Sequence, residues 1–268
     1  MQLGMSTAAY FGRWETEDSA RAISRLPLDC AEVFLQTSSE YTRDFAQLVR
    51  NNLGDMPCVS VHPLGTLFEN QLISRSVRQR RDAFDVLRRV LDAGAALGAK
   101  YYIHHGRHTP RNEKLPWNLS ANAELLALIG EAARARGMTV AWENVDWCQL
   151  TTADRVREAR DMLPDMHYTL DIKQAMKAGA DPIELARAMG ERLVHVHICD
   201  WDKNRCLCLP GEGVFDFDGL IRALHNQGYR GAVILEPYLS LIKNDEALER
   251  SIARMRYIIE GVTRNEQD

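Results

Sequence analysis

Short apolar runs recur along the chain and set its organisation. Eight of them are rich in β-branched and aromatic residues: LGMST (3–7), CAEVFLQ (30–36), PCVSVH (57–62), AKYYIHH (99–105), MTVAWEN (138–144), MHYTLD (166–171), RLVHVHI (192–198) and GAVILEP (231–237). Runs of this length and composition are typical of strands that are buried on both faces of a parallel sheet. The pattern therefore predicts eight parallel strands.

Amphipathic stretches separate these runs. Two of them place apolar residues on one helical face: Val77, Phe84, Leu87 and Leu91 in the first, and Leu248, Ile252, Met255 and Ile259 in the second. Strands that alternate with helices predict an α/β fold, a closed (β/α)₈ barrel formed by residues 1–268 as a single domain. An open doubly wound sheet is the alternative, although no GxGxxG follows the first strand, so dinucleotide binding has no support.

Four of the later runs end in residues that can bind a metal ion: Glu143, Asp171, His197 and Glu236. The carboxyl ends of barrel strands converge on one face, where barrel enzymes keep their active sites. The longer connections between elements fall on the same face: 63–71, 106–117 and 199–215. Each of the four residues alone could be the partner in a buried salt bridge. Together they predict an oxygen-rich site for one divalent ion, for which Mn²⁺ or Mg²⁺ fits best and Zn²⁺ or Co²⁺ are alternatives.

Composition narrows the class of protein. The 268 residues match the size of one barrel, and the net charge of −4 gives no reason to expect binding to nucleic acid or to an anionic membrane. No apolar stretch reaches the ~20 residues that span a bilayer, and the N-terminus lacks a signal peptide pattern. The six cysteines form no CxxC motif, so we expect reduced thiols in a cytoplasmic protein. The oligomeric state stays open, a homo-oligomer included.

The chain resembles the xylose isomerase-like superfamily of TIM barrels, which holds sugar isomerases, ketose epimerases, inosose-processing enzymes and metal-dependent apurinic-site endonucleases. The resemblance covers essentially the whole chain and is carried by the order and spacing of short motifs: CAEVFLQ, VSVHP, IHHG, WENVDW, LDIKQA, HVHICD, PGEG and ILEPY. It implies that Glu143, Asp171, His197 and Glu236 bind the catalytic divalent ion. It also implies that Glu143 and Glu236 are the catalytic acid and base.

Five further residues are predicted to contact a substrate: His62, His104, Lys173, Trp14 and Glu212. The two histidines could instead bind a second metal or make core hydrogen bonds. Lys173 could reach a substrate oxygen or phosphate, could offset carboxylate charge, or could point into solvent. The rings of Trp14 and Trp117 could pack against sugar C–H groups or within their loops.

Three other residues receive a structural interpretation. Glu32 is a charge within an apolar run and needs a partner if it is buried, so we expect a salt bridge. We interpret His105 and His108 as loop residues.

The chain departs from the endonuclease pattern at two places. A histidine normally stands three residues after the Asp of the sixth strand, and Gln174 occupies that position here. An Asp-x-His normally precedes the GEG turn, and here that segment is Arg205, Cys206 and Leu207. The resemblance therefore implies that at least one metal site of the endonucleases is missing.

The first functional hypothesis is a metal-dependent isomerase or epimerase that acts on a small keto-sugar or polyol derivative through an enediolate. The second is a lyase or dehydratase that eliminates a substituent from the same intermediate. The third is an abasic-site endonuclease, against which the missing ligands and the negative charge argue. The fourth is a non-catalytic sugar-binding subunit, against which the complete set of four ligands argues.

Overall fold

A computed structural model of the protein describes residues 1–65, 68–107 and 118–264 and shows a closed barrel. In chain order the strands are β1 (Gln2–Ser6), β2 (Cys30–Leu35), β3 (Cys58–Pro63), β4 (Tyr101–His104), β5 (Thr139–Glu143), β6 (His167–Asp171), β7 (Leu193–Ile198), β8 (Asp200–Trp201), β9 (Leu207–Cys208) and β10 (Ala232–Leu235). All except β8 and β9 pair in parallel, from β1 through β7 to β10 and back to β1. The predicted eight-stranded parallel barrel is confirmed.

Strands β8 and β9 form a separate antiparallel ribbon that follows β7. This ribbon lies within the long connection predicted at 199–215. The other two long connections are only partly described, because residues 66–67 and 108–117, which include His108 and Trp117, lie outside the described residues.

Within the described residues the helices are α1 (Thr16–Ile23), α2 (Arg43–Leu53), α3 (Glu69–Leu72), α4 (Val77–Leu97), α5 (Ala123–Arg134), α6 (Ala153–Met162), α7 (Ile172–Ala178), α8 (Pro182–Met189), α9 (Phe217–Asn226) and α10 (Asp245–Arg264). Helices α3 and α7 are short additions to the predicted alternation. The predicted buried face of α10 is confirmed. The predicted buried face of α4 is wrong at Val77, which lies in the first turn of the helix and is 69% exposed.

The barrel has an apolar shell, and several polar side chains lie in its interior. Side chains such as Leu35, Tyr102 and Leu170 are buried in the main hydrophobic core. Glu32 on β2 and His195 on β7 contact each other although their strands are not neighbours, so this contact crosses the barrel interior. Among the helices of the described residues, none has the length and apolar composition needed to cross a lipid bilayer.

Candidate metal centre

The four predicted ligands lie together at the carboxyl end of the barrel. Glu143 and Asp171 end β5 and β6, His197 is the penultimate residue of β7, and Glu236 directly follows β10. All four are buried, and their ligand atoms lie within 4.8 Å of one another. His197 Nδ1 faces the three carboxylates, at 3.3 Å from Glu143 Oε1, 3.9 Å from Asp171 Oδ2 and 3.6 Å from Glu236 Oε2. We call these four residues the quartet.

Local hydrogen bonds fix the position of Asp171. Its Oδ1 accepts a hydrogen bond of 2.8 Å from Gln174 N and so caps α7, which begins at the next residue. The Asn144 side chain bonds both to Asp171 N, at 2.7 Å, and to Asp171 O, at 2.9 Å. The second carboxylate oxygen of Asp171, Oδ2, takes part in none of these hydrogen bonds and faces the other residues of the quartet.

Two buried oxygen atoms of the quartet, Glu143 Oε2 and Asp171 Oδ2, accept no well-aligned hydrogen bond from a described residue, although His105 Nε2 lies 3.1 Å from the first and Lys173 Nζ 3.5 Å from the second. Buried carboxylate oxygens normally accept hydrogen bonds or coordinate a metal. Three carboxylates and one imidazole nitrogen are a suitable set of donors for a small divalent cation. The residues present therefore fit a divalent metal ion.

Lys173 closes one side of the quartet. Its Nζ donates to Glu236 Oε2 at 3.0 Å and to Glu236 O at 3.3 Å, and it lies 3.5 Å from Asp171 Oδ2. Because the side chain is buried, the solvent-facing alternative is wrong. Lys173 lies in the first turn of α7, because β6 ends at Asp171. Charge compensation is thus observed, while contact with a substrate stays a prediction.

The buried charges shift one another's ionisation. Burial raises the pKa of Asp171 to about 6, although Lys173 acts to lower it. Burial would also raise the pKa of Glu236, but Lys173 and His197 outweigh it and lower that pKa to about 2. Burial disfavours the charged form of Lys173, yet Asp171 and Glu236 raise its pKa well above the ordinary value. At neutral pH these carboxylates are therefore ionised and partly neutralised by Lys173.

Two histidines adjoin the quartet. His105 Nε2 lies 3.1 Å from Glu143 Oε2 and 2.6 Å from His62 Nε2, and His62 Nδ1 lies 3.5 Å from Glu236 Oε1. His105 follows the last residue of β4, as its interpretation as a loop residue expects, and its side chain nevertheless reaches the site. His62, His105 and Glu143 can also bring their ligand atoms within 4.8 Å of one another, so a second ion stays open as an alternative. Contact between His62 and a substrate stays a prediction.

His104 faces away from the quartet, and its contact with a substrate stays a prediction. Its Nδ1 lies 2.9 Å from Glu69 Oε1, and its ring is 6.1 Å from the ring of Trp142. Successive side chains of a strand point to opposite faces, so only one of two consecutive histidines faces the barrel interior. The IHHG motif gave no means of choosing between them.

Glu69 on α3 holds the end of β4. Its Oε1 accepts hydrogen bonds from Tyr102 Oη at 2.6 Å and from His104, and its Oε2 accepts from the main-chain nitrogens of His105 and Gly106 at 3.0 and 3.2 Å. Burial would raise the pKa of Glu69, but the neighbouring His104 outweighs it and lowers the pKa to about 2. The carboxylate therefore fixes the backbone from which His105 enters the site.

Glu32 lies inside the barrel below the quartet and, as predicted, is paired. Its Oε2 is 2.8 Å from Ser60 Oγ, 2.9 Å from His195 Nε2 and 3.1 Å from His197 Nε2. The residue is fully buried. It therefore connects β2 and β3 to β7, the strand that carries one ligand of the quartet.

The loop that carries Glu212 is organised by Asp200. Asp200 Oδ2 accepts hydrogen bonds from Gly211 N and Gly213 N at 3.0 and 2.9 Å, and Oδ1 accepts one from Phe215 N at 3.1 Å. A Cβ on Gly213 would lie 2.3 Å from Asp200 Oδ1, so this approach requires glycine. Glu212 itself is exposed, and its contact with a substrate stays a prediction. Sequence reasoning missed Asp200, although an acid three residues after the predicted ligand His197 was a usable signal.

Aromatic rings border the site on the side of β1 and β2. Trp14 packs against Tyr10 with ring centroids 4.6 Å apart, and its contact with a substrate stays a prediction. Phe11 is 49% exposed and meets Phe34 edge to face at 5.7 Å. Phe34 in turn meets His62 at 5.2 Å. Phe34 was not singled out from the sequence, because nothing distinguishes it from the other apolar residues of its strand.

The positions that depart from the endonuclease pattern serve other contacts. Gln174 Oε1 accepts a hydrogen bond from Asp146 N at 3.3 Å, and Arg205 Nη2 donates to Met176 O at 2.7 Å. Across the described residues, no cluster of three metal-binding side chains includes position 174 or positions 205–207.

Relatives of the chain have low sequence identity to it, and some match only part of its length. An uncharacterized protein of Mycobacterium bovis is 34% identical over 92 residues, 32% of each chain, so the chain spans about a third of that relative's length. Fructoselysine 3-epimerase of Escherichia coli O157:H7 is 24% identical over 216 residues, which are 76% of this chain and 77% of the epimerase. 3-Dehydroshikimate dehydratase of Pseudomonas aeruginosa is 27% identical over 131 residues, 43% of this chain and 20% of the dehydratase.

Solved structures share the whole fold. A D-tagatose 3-epimerase-like protein superimposes with a TM-score of 0.79 over 99% of both chains at 19% identity. An IOLI protein with a zinc atom superimposes with a TM-score of 0.76 over 98% of this chain and 99% of its own at 17% identity. The model of a family described as xylose isomerase-like TIM barrel matches residues 20–258. The chain therefore belongs to the xylose isomerase-like TIM barrel family.

Proposed function

We propose that the protein is a divalent-metal-dependent epimerase or isomerase of a small keto-sugar or polyol derivative. The observation that carries the proposal is the buried quartet, whose four ligand atoms lie within 4.8 Å of one another. Membership of the family and the similarity to fructoselysine 3-epimerase support it. The metal would be one Mn²⁺ or Mg²⁺, with Zn²⁺ or Co²⁺ as alternatives.

Glu143, Asp171, His197 and Glu236 would hold the ion. A bound divalent ion supplies a positive charge that polarises a substrate carbonyl and acidifies the neighbouring C–H group. Glu143 directs Oε1 at His197 and Oε2 at His105, while Glu236 directs Oε2 at His197 and keeps Oε1 near His62. In the proposed mechanism one oxygen of each carboxylate takes part in proton transfer.

Glu143 and Glu236 would act as base and acid. Glu143 ends β5 and Glu236 follows β10. These strands are separated in the barrel by β6 and β7, so the two carboxylates approach the centre of the site from different sides. One removes a proton from the substrate carbon and the other returns it on the opposite face, as an epimerase requires. Lys173 keeps Glu236 ionised and ready to accept a proton.

A dehydratase is the second candidate, and the similarity to 3-dehydroshikimate dehydratase favours it. The same carboxylates would remove the first proton, after which a neighbouring substituent leaves in place of reprotonation. The two reactions share the first step and differ in the product.

Proton–deuterium exchange tests the common step. Ketoses and keto-inositols are incubated with the protein and Mn²⁺ in D₂O, and mass spectrometry separates epimerised from dehydrated products. We expect exchange in the wild type and none with Glu236→Gln. Glu40→Gln, a change at a buried carboxylate bonded to Thr16 rather than to the quartet, is the matched control. Wild-type exchange rates in Glu236→Gln would rule out its role as acid or base.

A further inference from the structure

Glu32 connects the floor of the barrel to one member of the quartet. Its Oε2 lies 3.1 Å from His197 Nε2, while His197 Nδ1 faces Glu143 and the other carboxylates. A neutral imidazole carries one proton and one lone pair, on different nitrogens. If Nε2 donates its proton to Glu32, the lone pair belongs to Nδ1, on the side where a metal ion would bind.

Glu32 is held in place by more than His197. Ser60 Oγ and His195 Nε2 lie 2.8 and 2.9 Å from the same carboxylate oxygen. The pairing of β2 with β3 shifts register between Ala31 and Glu32, and such irregularities re-aim side chains near active sites. Full burial keeps water from competing for these hydrogen bonds. The carboxylate is therefore a fixed acceptor that determines how the His197 ring is oriented.

We propose that Glu32 is a positioning residue that orients His197, keeps the proton of His197 on Nε2, and thereby sets the affinity of the quartet for a divalent ion. The inference depends on the metal site of the proposed function. Histidines that bind metals commonly donate their other N–H to a carboxylate, and loss of such a partner typically weakens metal binding about 10- to 100-fold.

Calorimetric titration of chelator-treated protein with Mn²⁺ tests this role without an assay of activity. Glu32→Gln retains the size of the side chain, but it removes the negative charge and replaces one acceptor oxygen with an NH₂ donor. We expect its dissociation constant for Mn²⁺ to rise about 10- to 100-fold with unchanged stoichiometry. Glu40→Gln alters another buried, hydrogen-bonded carboxylate, one that has Thr16 and the Gln36 main chain as partners, and should bind Mn²⁺ like the wild type.

A second measurement separates orientation from general damage to the fold. Nitrogen-15 spectra of the wild type loaded with diamagnetic Mg²⁺ or Zn²⁺ should show the His197 proton on Nε2, and Glu32→Gln should lose this single assignment. If Glu32→Gln does not fold, Glu32→Asp provides the same test, because a carboxylate shorter by one methylene no longer reaches His197.

Three outcomes would overturn the proposal. If Glu32→Gln binds Mn²⁺ with wild-type affinity, Glu32 has no positioning role, although the metal site of the proposed function is not contradicted. Equal losses in Glu32→Gln and Glu40→Gln would assign the effect to the fold. Absence of Mn²⁺ binding by the wild type would remove both the positioning role and the metal site of the proposed function.

Discussion

Lys173 is a buried ammonium surrounded by the carboxylates that would bind the ion. It lies 3.0 Å from Glu236 Oε2 and 3.5 Å from Asp171 Oδ2. Buried carboxylates that lose their cationic partner are costly, because each remains charged without compensation. A divalent ion and Lys173 therefore supply the same kind of charge to the same residues.

Lys173→Met should lower the stability of the metal-free protein by roughly 3–5 kcal/mol, the usual cost of breaking a buried ion pair. The loss should be smaller in the metal-loaded protein, because the ion replaces the missing charge. Thermal unfolding with and without Mn²⁺ measures both values. Lys177→Met, at an exposed lysine one turn later in α7, is the control. Equal losses with and without the ion would contradict the idea of shared compensation.

Asp171→Asn should bind much less metal while it keeps α7 intact. Asparagine caps helices as well as aspartate does, so the hydrogen bond to Gln174 N survives and only the charge is lost. Elemental analysis of purified wild-type and variant protein decides the matter. Equal metal content in the two would remove Asp171 from the list of ligands.

At the residue scale, the sequence was informative for residues whose position at the end of a strand places them on one face of the barrel. Glu143, Asp171, His197 and Glu236 were selected by their places at strand ends, and the structure brings them together. The sequence did not reveal that His105 rather than His104 faces the quartet, because two adjacent histidines differ only in the face to which they point. That difference depends on where β4 begins in the pleat, which no residue of the motif determines.

At the scale of elements, the segment between β7 and α9 is organised by one carboxylate. Asp200 accepts hydrogen bonds from several main-chain nitrogens between Gly211 and Phe215. The segment contains Glu212, a predicted contact of the substrate. Hydrogen bonds to a single side chain therefore hold the part of this loop between Gly211 and Phe215.

Asp200→Ala should release this segment. The main-chain donors lose their acceptor, which costs about 1–3 kcal/mol for a buried group left unsatisfied. Hydrogen exchange should accelerate at Gly211, Gly213 and Phe215, with little change in the barrel strands. Asp202→Ala removes an acid from the same ribbon and should leave these three amides protected. Unchanged protection in Asp200→Ala would show that other contacts hold the loop.

The strands were predictable as elements and the short helices were not. A strand buried on both faces is an unbroken apolar run, and all eight runs became barrel strands. Helices α3 and α7 contain only 4 and 7 residues, too few for a helical period to emerge from the sequence. Val77 fits the apolar spacing of α4 but lies in its first turn and is exposed, because a periodic pattern does not reveal where burial ends.

For the whole molecule, the closed barrel is what makes distant residues into one site. Parallel strands of similar length place their carboxyl ends on one face, so positions far apart in the chain meet without any local signal. Closure was predictable from the alternation of strands and helices. The network beneath the site, from Ser60 through Glu32 to His195, was not, because it joins opposite walls of the barrel.

The intact protein should not cleave DNA at abasic sites. Gln174 and Arg205 occupy positions where the endonuclease pattern has metal-binding groups, and both make contacts to the main chain. The net charge of −4 also disfavours binding to a polyanion. Incubation of a duplex that contains an abasic site with protein and Zn²⁺ or Mn²⁺ should give no incision above background. Incision that disappears in Glu143→Ala would contradict this expectation.

The ammonium of Lys173 has a consequence for how the protein acquires its ion. A newly synthesised chain can complete its barrel with the central carboxylates already partly neutralised, so folding need not wait for a cation. Metal binding is then a separate event that follows folding. Small zinc domains differ, because they fold only when the metal binds. Which cation enters is decided by the supply around the finished barrel and by exchange, so different growth media should yield preparations that contain different metals.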